Sequence, residues 1–339
     1  MSAIRNSSTE GPLPGILTWV ALKNGSLSHS SKEVLGLARR IADQTGNRVT
    51  AGLAGAKVSP FARELANWGA DGVYLSEDER LGEFQPSLYL KVLRDMAGAA
   101  GAHLLLFPAE APGMDLAPRL AHRLGAGLVT DCIGCEVRDG KCVFMKPVYG
   151  GKALARMRVT TPVALATARP RTQEPFSRNT GGGPEPVFFA PPADSANPDW
   201  KVLDRIEEEK GEVDLEEAQV VVSGGRGMGS SEGFQPLRRL AKILGGAVGA
   251  SRTAVDAGWI PPSHQVGQTG KVVAPDVYFA VGISGSSQHV AGMGGSKIIV
   301  AVNRDPEAPI FRIANLGVVE DYRNVLPALI EEFERRIKK

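Results

Sequence analysis

The feature that most constrains this chain is an alternation of short apolar runs with amphipathic stretches, which stops near the middle and then starts again. In the first half, residues 16–22 read as a strand and 32–45 as a helix with Val34, Leu37, Ala38 and Ile41 on one face. Strands at 49–53, 72–75 and 103–107 then alternate with helices at 60–68, 85–100 and 115–124. Such a rhythm implies a mostly parallel sheet wrapped by helices, because parallel strands need crossovers long enough to hold a helix. Beyond residue 128 the rhythm changes. Residues 137–144 turn on Asp139-Gly140, a dipeptide that tolerates positive φ at both positions and marks a hairpin. With a last strand at 163–166, this tail reads as an antiparallel extension of the first sheet.

Residues 169–199 are rich in Pro, Gly and Ser and read as a connecting excursion with one short strand at 187–189. A charged helical stretch follows at 201–210, and the domain boundary falls between about 190 and 212. The second half restarts the rhythm with strands at 219–222, 277–281, 298–302 and 317–319. Its helix at 231–244 buries Phe234, Leu237, Leu240, Ala241 and Leu244 and stops at Gly245-Gly246. A closing helix carries Leu326, Leu329, Ile330, Phe333 and Ile337 at helical spacing. The expected organisation is a disordered N-terminus (1–14), an α/β domain (15–200), a linker helix (201–212) and a second, doubly wound Rossmann-like α/β domain (213–339). At 339 residues the chain suits two cores rather than one.

Lys and Arg number 39 against 37 Asp and Glu, so no broad basic field exists to hold a nucleic acid. No run approaches the roughly 20 apolar residues that cross a bilayer. Residues 1–15 lack both a signal-peptide core and an Arg-rich transit face, and three cysteines suit a reducing compartment, so the expected location is cytoplasmic.

Glycines cluster where the strands of the second half end, and that is where α/β proteins bind ligands. The run Ser223-Gly224-Gly225-Arg226-Gly227-Met228-Gly229 follows a strand and precedes a helix. Its glycines let backbone amides approach a diphosphate, and Arg226 adds a charge-assisted contact. Ser230 stands where a G-x-G-x-x-G fingerprint needs its last glycine, which counts against a simple NAD dehydrogenase. The alternative is a tight strand-to-helix turn without a ligand. Gly249-Ala250-Ser251-Arg252 ends a short strand on a hydroxyl and a guanidinium, although Arg252 alone equally suits a solvated surface.

Gln265-Val266-Gly267-Gln268-Thr269-Gly270-Lys271 resembles a P-loop but lacks the leading glycine and the Ser or Thr after lysine, so an ATPase reading is poor. In Gly282-Ile283-Ser284-Gly285-Ser286-Ser287-Gln288-His289 a nucleophile elbow would need glycine at 286. That run reads instead as a phosphate-binding turn at a helix start, with His289 either structural or facing the ligand. Asn303 and Asp321 each follow a strand, where polar groups hold a ribose or base or merely cap a turn. Cys132, Cys135 and Cys142 lie around the hairpin and lack the fourth ligand of a structural zinc site. They read as small apolar side chains.

The runs V-V-S-G-G-R-G, V-G-A-S-R, V-G-Q-T-G-K, G-I-S-G-x-x-Q-H and D-P-E-A-P-I-F, in this order, closely resemble the electron-transfer flavoprotein alpha subunit. The resemblance is dense over 219–321 and looser before it. It implies an FAD in the second domain, with Arg226 and Ser284, Gly285, Ser286 and Ser287 at the pyrophosphate. It places Ser251 and Arg252 at the isoalloxazine, with Val266, Gly267, Gln268 and Thr269 on the ring's polar edge. Gln288 and His289 fall at the same turn, His289 near the C2 carbonyl, and Asn303, Asp321 and Tyr322 match the adenosine end.

The family's turn usually carries alanine and an aliphatic residue where Ser286-Ser287 stand here. The implied function is that of an electron carrier without an organic substrate of its own. A first domain docks a beta subunit that holds AMP or a second FAD. Electrons come from flavin dehydrogenases such as the acyl-CoA dehydrogenases and pass to a quinone oxidoreductase or another acceptor. A cation over the ring and donors at its edge favour a half-reduced, negatively charged flavin. Three other readings stay open: an electron-bifurcating, NADH-linked relative, an NAD-linked dehydrogenase, and a non-redox nucleotide-binding protein on the same fold.

Overall fold

The computed structural model describes residues 15–149, 151, 153–178, 183–192, 203 and 214–337. The expected disordered N-terminus and, apart from Leu203, the expected linker helix lie outside these residues. The chain divides into two compact units, Met1–Pro147 with Leu154–Lys201, and Val148–Ala153 with Val202–Lys339.

The first unit begins with strand β1 (Gly15–Trp19), the small hairpin β2 (Leu22–Lys23) and β3 (Ser26–Leu27), and helix α1 (His29–Thr45). It continues through β4 (Arg48–Gly55), α2 (Ala62–Asn67), β5 (Gly72–Glu77), α3 (Pro86–Ala99), β6 (Ala102–Pro108) and α4 (Ala111–Leu124). The remaining strands are β7 (Gly127–Cys132), β8 (Gly134–Arg138), β9 (Lys141–Val148), β10 (Ala153–Met157), β11 (Ala164–Ala168) and β12 (Val187–Phe188). Seven strands form a parallel sheet in the order β12-β5-β4-β1-β6-β11-β7.

Period-two alternation sends Ile16, Leu104 and Leu106 into the core under α1, and Leu17, Trp19, Leu105 and Phe107 into the core under α3 and α4. Each fully buried leucine of this kind contributes roughly 1.5–3 kcal/mol. The helix at α1 starts where the Ser28 hydroxyl accepts from the Ser31 amide, and it ends on Gly46 in the left-handed region.

The hairpin turn has Asp139 at φ 51° and Gly140 at φ 69°, with Arg138 opposite Lys141. The antiparallel extension is a three-stranded sheet of its own, ordered β10-β9-β8, and β11 returns to the parallel sheet between β6 and β7. The sequence reading missed β7. Thr130 and Asp131 interrupt its apolar run, Asp131 lies at φ 58°, and the pairing with β11 shifts register there. Cys132 is buried in the core below this point, with Cys135 and Cys142 half-buried against the same cluster. Among the described residues, no group of three or more His, Cys, Asp or Glu side chains is arranged to hold a metal.

The second unit is a five-stranded parallel sheet. Its elements are β13 (Val220–Gly224), α5 (Gln235–Ile243), β14 (Ala247–Ala250), α6 (Arg252–Asp256), β15 (Val277–Val281), α7 (Ser287–Met293), β16 (Ile298–Asn303), β17 (Leu316–Val319) and α8 (Tyr322–Ile337). The strand order is β14-β13-β15-β16-β17. The chain moves from β13 outward to β14, then crosses to the other side of β13 to make β15, so the order reverses between β13 and β15. Ligands of open α/β sheets bind outside the carboxyl ends of the strands at such a reversal. The expected helix over 231–244 is a 3-10 turn at Glu232–Phe234 followed by α5, with Pro236 in the first turn. No helix among the described residues is long and apolar enough to cross a membrane.

At the reversal the turns after β13 and β15 meet backbone against backbone. A Cβ on Gly225 would lie 2.3 Å from the Gly282 carbonyl oxygen and 2.8 Å from Ile283 Cα, and neither atom can yield without moving its strand end. Gly98, exposed near the end of α3, would meet nothing within 4 Å. Gly225→Ala therefore lowers stability by roughly 1–3 kcal/mol through overpacking. Gly98→Ala raises it by roughly 0.5–1 kcal/mol by restricting the unfolded chain. Urea denaturation of the two variants beside the parent checks both signs.

Candidate functional site

A cavity of about 680 Å³ opens at the carboxyl ends of β13, β14, β15 and β16, within the size range of ligand pockets. Its first wall is the turn after β13. Here the structure changes the role expected of the glycines. The Gly225 amide donates to the Val281 carbonyl at 2.9 Å, and the Gly227 amide to the Gly282 carbonyl at 3.0 Å. The Met228 and Gly229 amides close on residues of the same turn. These amides are spent on the fold, and the glycines serve the close approach of the two turns. Arg226 is exposed at the cavity wall and carries the turn's charge.

The second wall is the turn after β15. Gly282 sits at φ 60° and its amide donates to the Val302 carbonyl at 2.8 Å. Beyond it, among the described residues, the amides of Ile283, Ser284, Gly285 and Ser286 find no acceptor. Ser284 and Ser286 are exposed to the cavity. Gly285, at φ 85°, does not line it. A Cβ there would lie 2.5 Å from the Ile310 amide nitrogen, so this glycine admits residues 309–312 behind the turn. Ser287 does not line the cavity either, and its hydroxyl donates to Gln288 Oε1 at 3.3 Å.

The third wall is Gln265–Lys271. The Val266 amide donates to the Ala250 carbonyl at 2.9 Å, and the Gln268 amide donates to the Gln288 carbonyl at 2.8 Å. Gly292 of α7 presses on Gly267, where a Cβ would come within 2.3 Å of the backbone nitrogen. Val266, Gly267, Gln268, Thr269 and Gln288 all line the cavity. The ammonium of Lys271 lies instead 4.0 Å from both Asp214 and Glu216, which removes the P-loop likeness from the site.

Ser251 and Arg252 follow β14 into the same space. The Ser251 hydroxyl is buried without a hydrogen-bond partner, and Arg252 is exposed with Nε 3.3 Å from Asp256. His289 is 5% exposed. Its Nε2 lies 2.9 Å from the Tyr278 hydroxyl, and its Nδ1 is buried without a partner. Burial pushes its pKa down to about 4, opposed in part by the Val266 carbonyl, so the ring is neutral near pH 7.

Asn303 lines the cavity, yet its amide is engaged. Nδ2 donates to the Ile283 carbonyl at 2.9 Å and Oδ1 accepts from the Asp305 amide at 3.0 Å. Asp321 lies outside the lining. Its carboxylate accepts from the Arg323 amide and side chain, and Arg304, which lines the cavity, is 3.7 Å away. The Arg323 amide, followed by the charges of Arg323 and Arg304, holds that carboxyl below its ordinary pKa. Tyr322 is buried in the core and its hydroxyl donates to the Met228 carbonyl at 3.1 Å. The structure thus gathers twelve of the sixteen residues singled out from sequence around one cavity, and leaves Gly285, Ser287, Asp321 and Tyr322 out of its lining.

Sequence reasoning passed over Thr253, Gln265, Arg304 and Asp305, which also line the cavity. Arg304 and Asp305 directly follow the end of β16, so the strand-end rule that picked out Asn303 also covered them. Three guanidiniums, Arg226, Arg252 and Arg304, face the cavity against the single carboxylate of Asp305. This balance favours an anionic ligand.

Comparison with known proteins agrees in kind. Residues 16–194 match the family model described as the electron transfer flavoprotein domain, and residues 214–294 match the electron transfer flavoprotein FAD-binding domain. Electron transfer flavoprotein subunit alpha of Thermoanaerobacterium thermosaccharolyticum is 40% identical over 92% of this chain and 96% of its own length. The subunit of the same name from Bacillus subtilis is 41% identical over 93% and 95%, and protein FixB of Clostridium saccharobutylicum 42% identical over 94% and 96%. With one model covering over half of the chain and such relatives aligned nearly end to end, the chain belongs to the electron transfer flavoprotein alpha-subunit family.

Proposed function

We propose that this chain holds one FAD in the cavity of its second unit and works as an electron carrier, without transforming an organic substrate. The observation that carries the reading is the cavity itself. It lies at the strand reversal and combines three guanidiniums, unspent amides after β15 and the orphaned hydroxyl of Ser251. A dinucleotide with a charged pyrophosphate and a polar, planar ring fits this donor set. Arg226, Ser284 and Ser286 would hold the pyrophosphate. Ser251, Arg252, Gln268, Thr269 and His289 would meet the isoalloxazine, and Arg304, on the turn that Asn303 braces, the adenosine end. Bound FAD supplies one-electron chemistry. The chain's own groups orient it and set the charge around it. Arg252 adds positive charge, while the neutral ring of His289 adds none.

The family reading extends to partners. A beta subunit docks on the first unit and carries AMP or a second FAD. Flavin dehydrogenases, including acyl-CoA dehydrogenases, deliver electrons, and a quinone oxidoreductase or another acceptor takes them. The expected setting is cytoplasmic. The test is a visible spectrum of the chain co-expressed with its small subunit, followed through stepwise reduction. One flavin per heterodimer, reduced in two resolved one-electron steps, supports the carrier. A second flavin would assign the complex to the bifurcating branch, and a colourless complex that refuses added FAD would overturn the reading.

Two substitutions separate the roles. Arg226→Ala removes a charge-assisted contact worth roughly 1.5–3 kcal/mol, so the Kd for FAD rises about tenfold or more. Binding of riboflavin, which has no pyrophosphate, stays the same, and fluorescence titration with both ligands checks this. Arg252→Ala lowers the potential of the first electron by roughly 60 mV, the one-electron equivalent of a tenfold change. Spectroelectrochemical titration measures it, and an unchanged potential removes Arg252 from its assigned role.

A further inference from the structure

The imidazole of His289 stands at the cavity wall on α7, and its partner comes from the sheet below. Tyr278, in β15, is fully buried among Leu215, Val273, Met293 and Ile299. Its hydroxyl oxygen lies 2.9 Å from His289 Nε2, and the two rings meet edge-on with centroids 6.1 Å apart and planes at 62°. A buried phenol requires an acceptor for its proton. The neighbouring Ser223 hydroxyl, also buried, sits beside the Tyr278 hydroxyl and acts on it without forming a hydrogen bond of good geometry.

Two proton arrangements fit the distance. If Nε2–H donated to the phenol oxygen, the tyrosine proton would have only the neighbouring Ser223 hydroxyl to turn to, and Nδ1 would be a buried acceptor without a donor. If the phenol donates to Nε2, that proton is satisfied and the ring's own proton sits on Nδ1. The second arrangement leaves fewer buried groups unpaired, and an unpaired group costs roughly 1–3 kcal/mol. It also leaves the ring an N–H to set against the backbone of Val266, the third-wall residue that acts on His289.

We propose that Tyr278 is a positioning residue for the flavin site: its hydroxyl fixes His289 in one orientation and one neutral tautomer, protonated on Nδ1. A phenol that donates to Nε2 occupies the lone pair a second proton would need, so His289 offers the cavity a fixed dipole and not a movable positive charge. Fixed positive charge is left to Arg226, Arg252 and Arg304, with Asp305 opposing them. The effect on flavin rests on the function proposed above. The tautomer does not, and it can be read in the absence of any ligand.

The test uses the full-length chain labelled with ring-15N histidine, with the His289 signals assigned by their loss in His289→Gln. In the parent, Nδ1 resonates as a protonated nitrogen and Nε2 as an unprotonated acceptor near neutral pH. In Tyr278→Phe, which keeps the ring that fills the core, the two signals move toward each other as both tautomers become populated. Ser223→Ala leaves them in place. In the FAD-loaded protein, Tyr278→Phe changes the affinity for reduced relative to oxidised flavin about threefold or more. Its affinity for oxidised FAD changes by less than about twofold, a split that loss of packing alone would not produce. A parent ring protonated on Nε2, or signals unmoved in Tyr278→Phe, overturns the proposal. An equal response in Ser223→Ala also overturns it, because it would make the serine the proton's acceptor. Failure of the chain to take up FAD would contradict the proposed function and leave the tautomer assignment standing.

Discussion

Between the turns that follow β13 and β15, two stretches of backbone lie so close that neither can carry a side chain at the points where they face each other. Adjacent strands in a sheet are about 4.8 Å apart, and both of these chains leave the sheet at the same end. They can turn side by side only if Gly225, Gly227 and Gly282 present bare Cα atoms to each other. The amides of Gly225 and Gly227 then reach the carbonyls of Val281 and Gly282, and the Gly282 amide reaches Val302 on the next strand. Three strand ends are thereby stitched into one rim. The Asn303 side chain adds a fourth stitch through the Ile283 carbonyl. The rest of the site hangs from this rim, because α7 starts from it and Gly292 of α7 holds the Gln265–Lys271 loop by direct contact with Gly267.

This arrangement separates two kinds of electrostatic group. The arginines line the cavity at exposed positions, where a charged group carries little desolvation cost. His289 sits inside the wall, where burial removes its charge at neutral pH. A carrier that must hold flavin at a set potential benefits from this division, since fixed charges do not change with small shifts in pH. The second division is between amides spent on architecture and amides left over. The turn after β13 uses its amides in the rim, and the turn after β15 keeps several unspent. On the function proposed, Ser284 and Ser286 and their backbone, with Arg226 at the same cavity, would hold the pyrophosphate.

Much of this was legible in the string of residues. The strand at Val277–Val281 and the hairpin at Asp139-Gly140 stand where the pattern put them, because period and turn chemistry are local properties. The strand β7 was not legible, since its identity depends on pairing with a strand more than thirty residues away. Helix starts slipped where a 3-10 turn precedes the helix, as before α2 and α5. In the site, residue types at strand ends were readable, and twelve of them do converge. What each does there was not. Asn303 looked like a ribose ligand and is engaged with backbone, and the glycines after β13 looked like an anion cradle and are packing devices. Tyr278 went unnoticed inside an apolar run, because only the sheet shows which face it takes and that His289 waits there.

The central claim is that the rim between β13 and β15 is where this chain holds its flavin. Hydrogen–deuterium exchange of the full-length chain with and without FAD tests it most directly, because exchange reports the backbone amides themselves. The account predicts that FAD slows exchange at the amides of 283–289, several of which find no acceptor among the described residues, and at Thr269, whose loop is otherwise bonded. It predicts little change at 225 and 227–229, where the amides are already bonded, and none across the sheet of the first unit. Protection confined to the first unit, or none in the second, would contradict it.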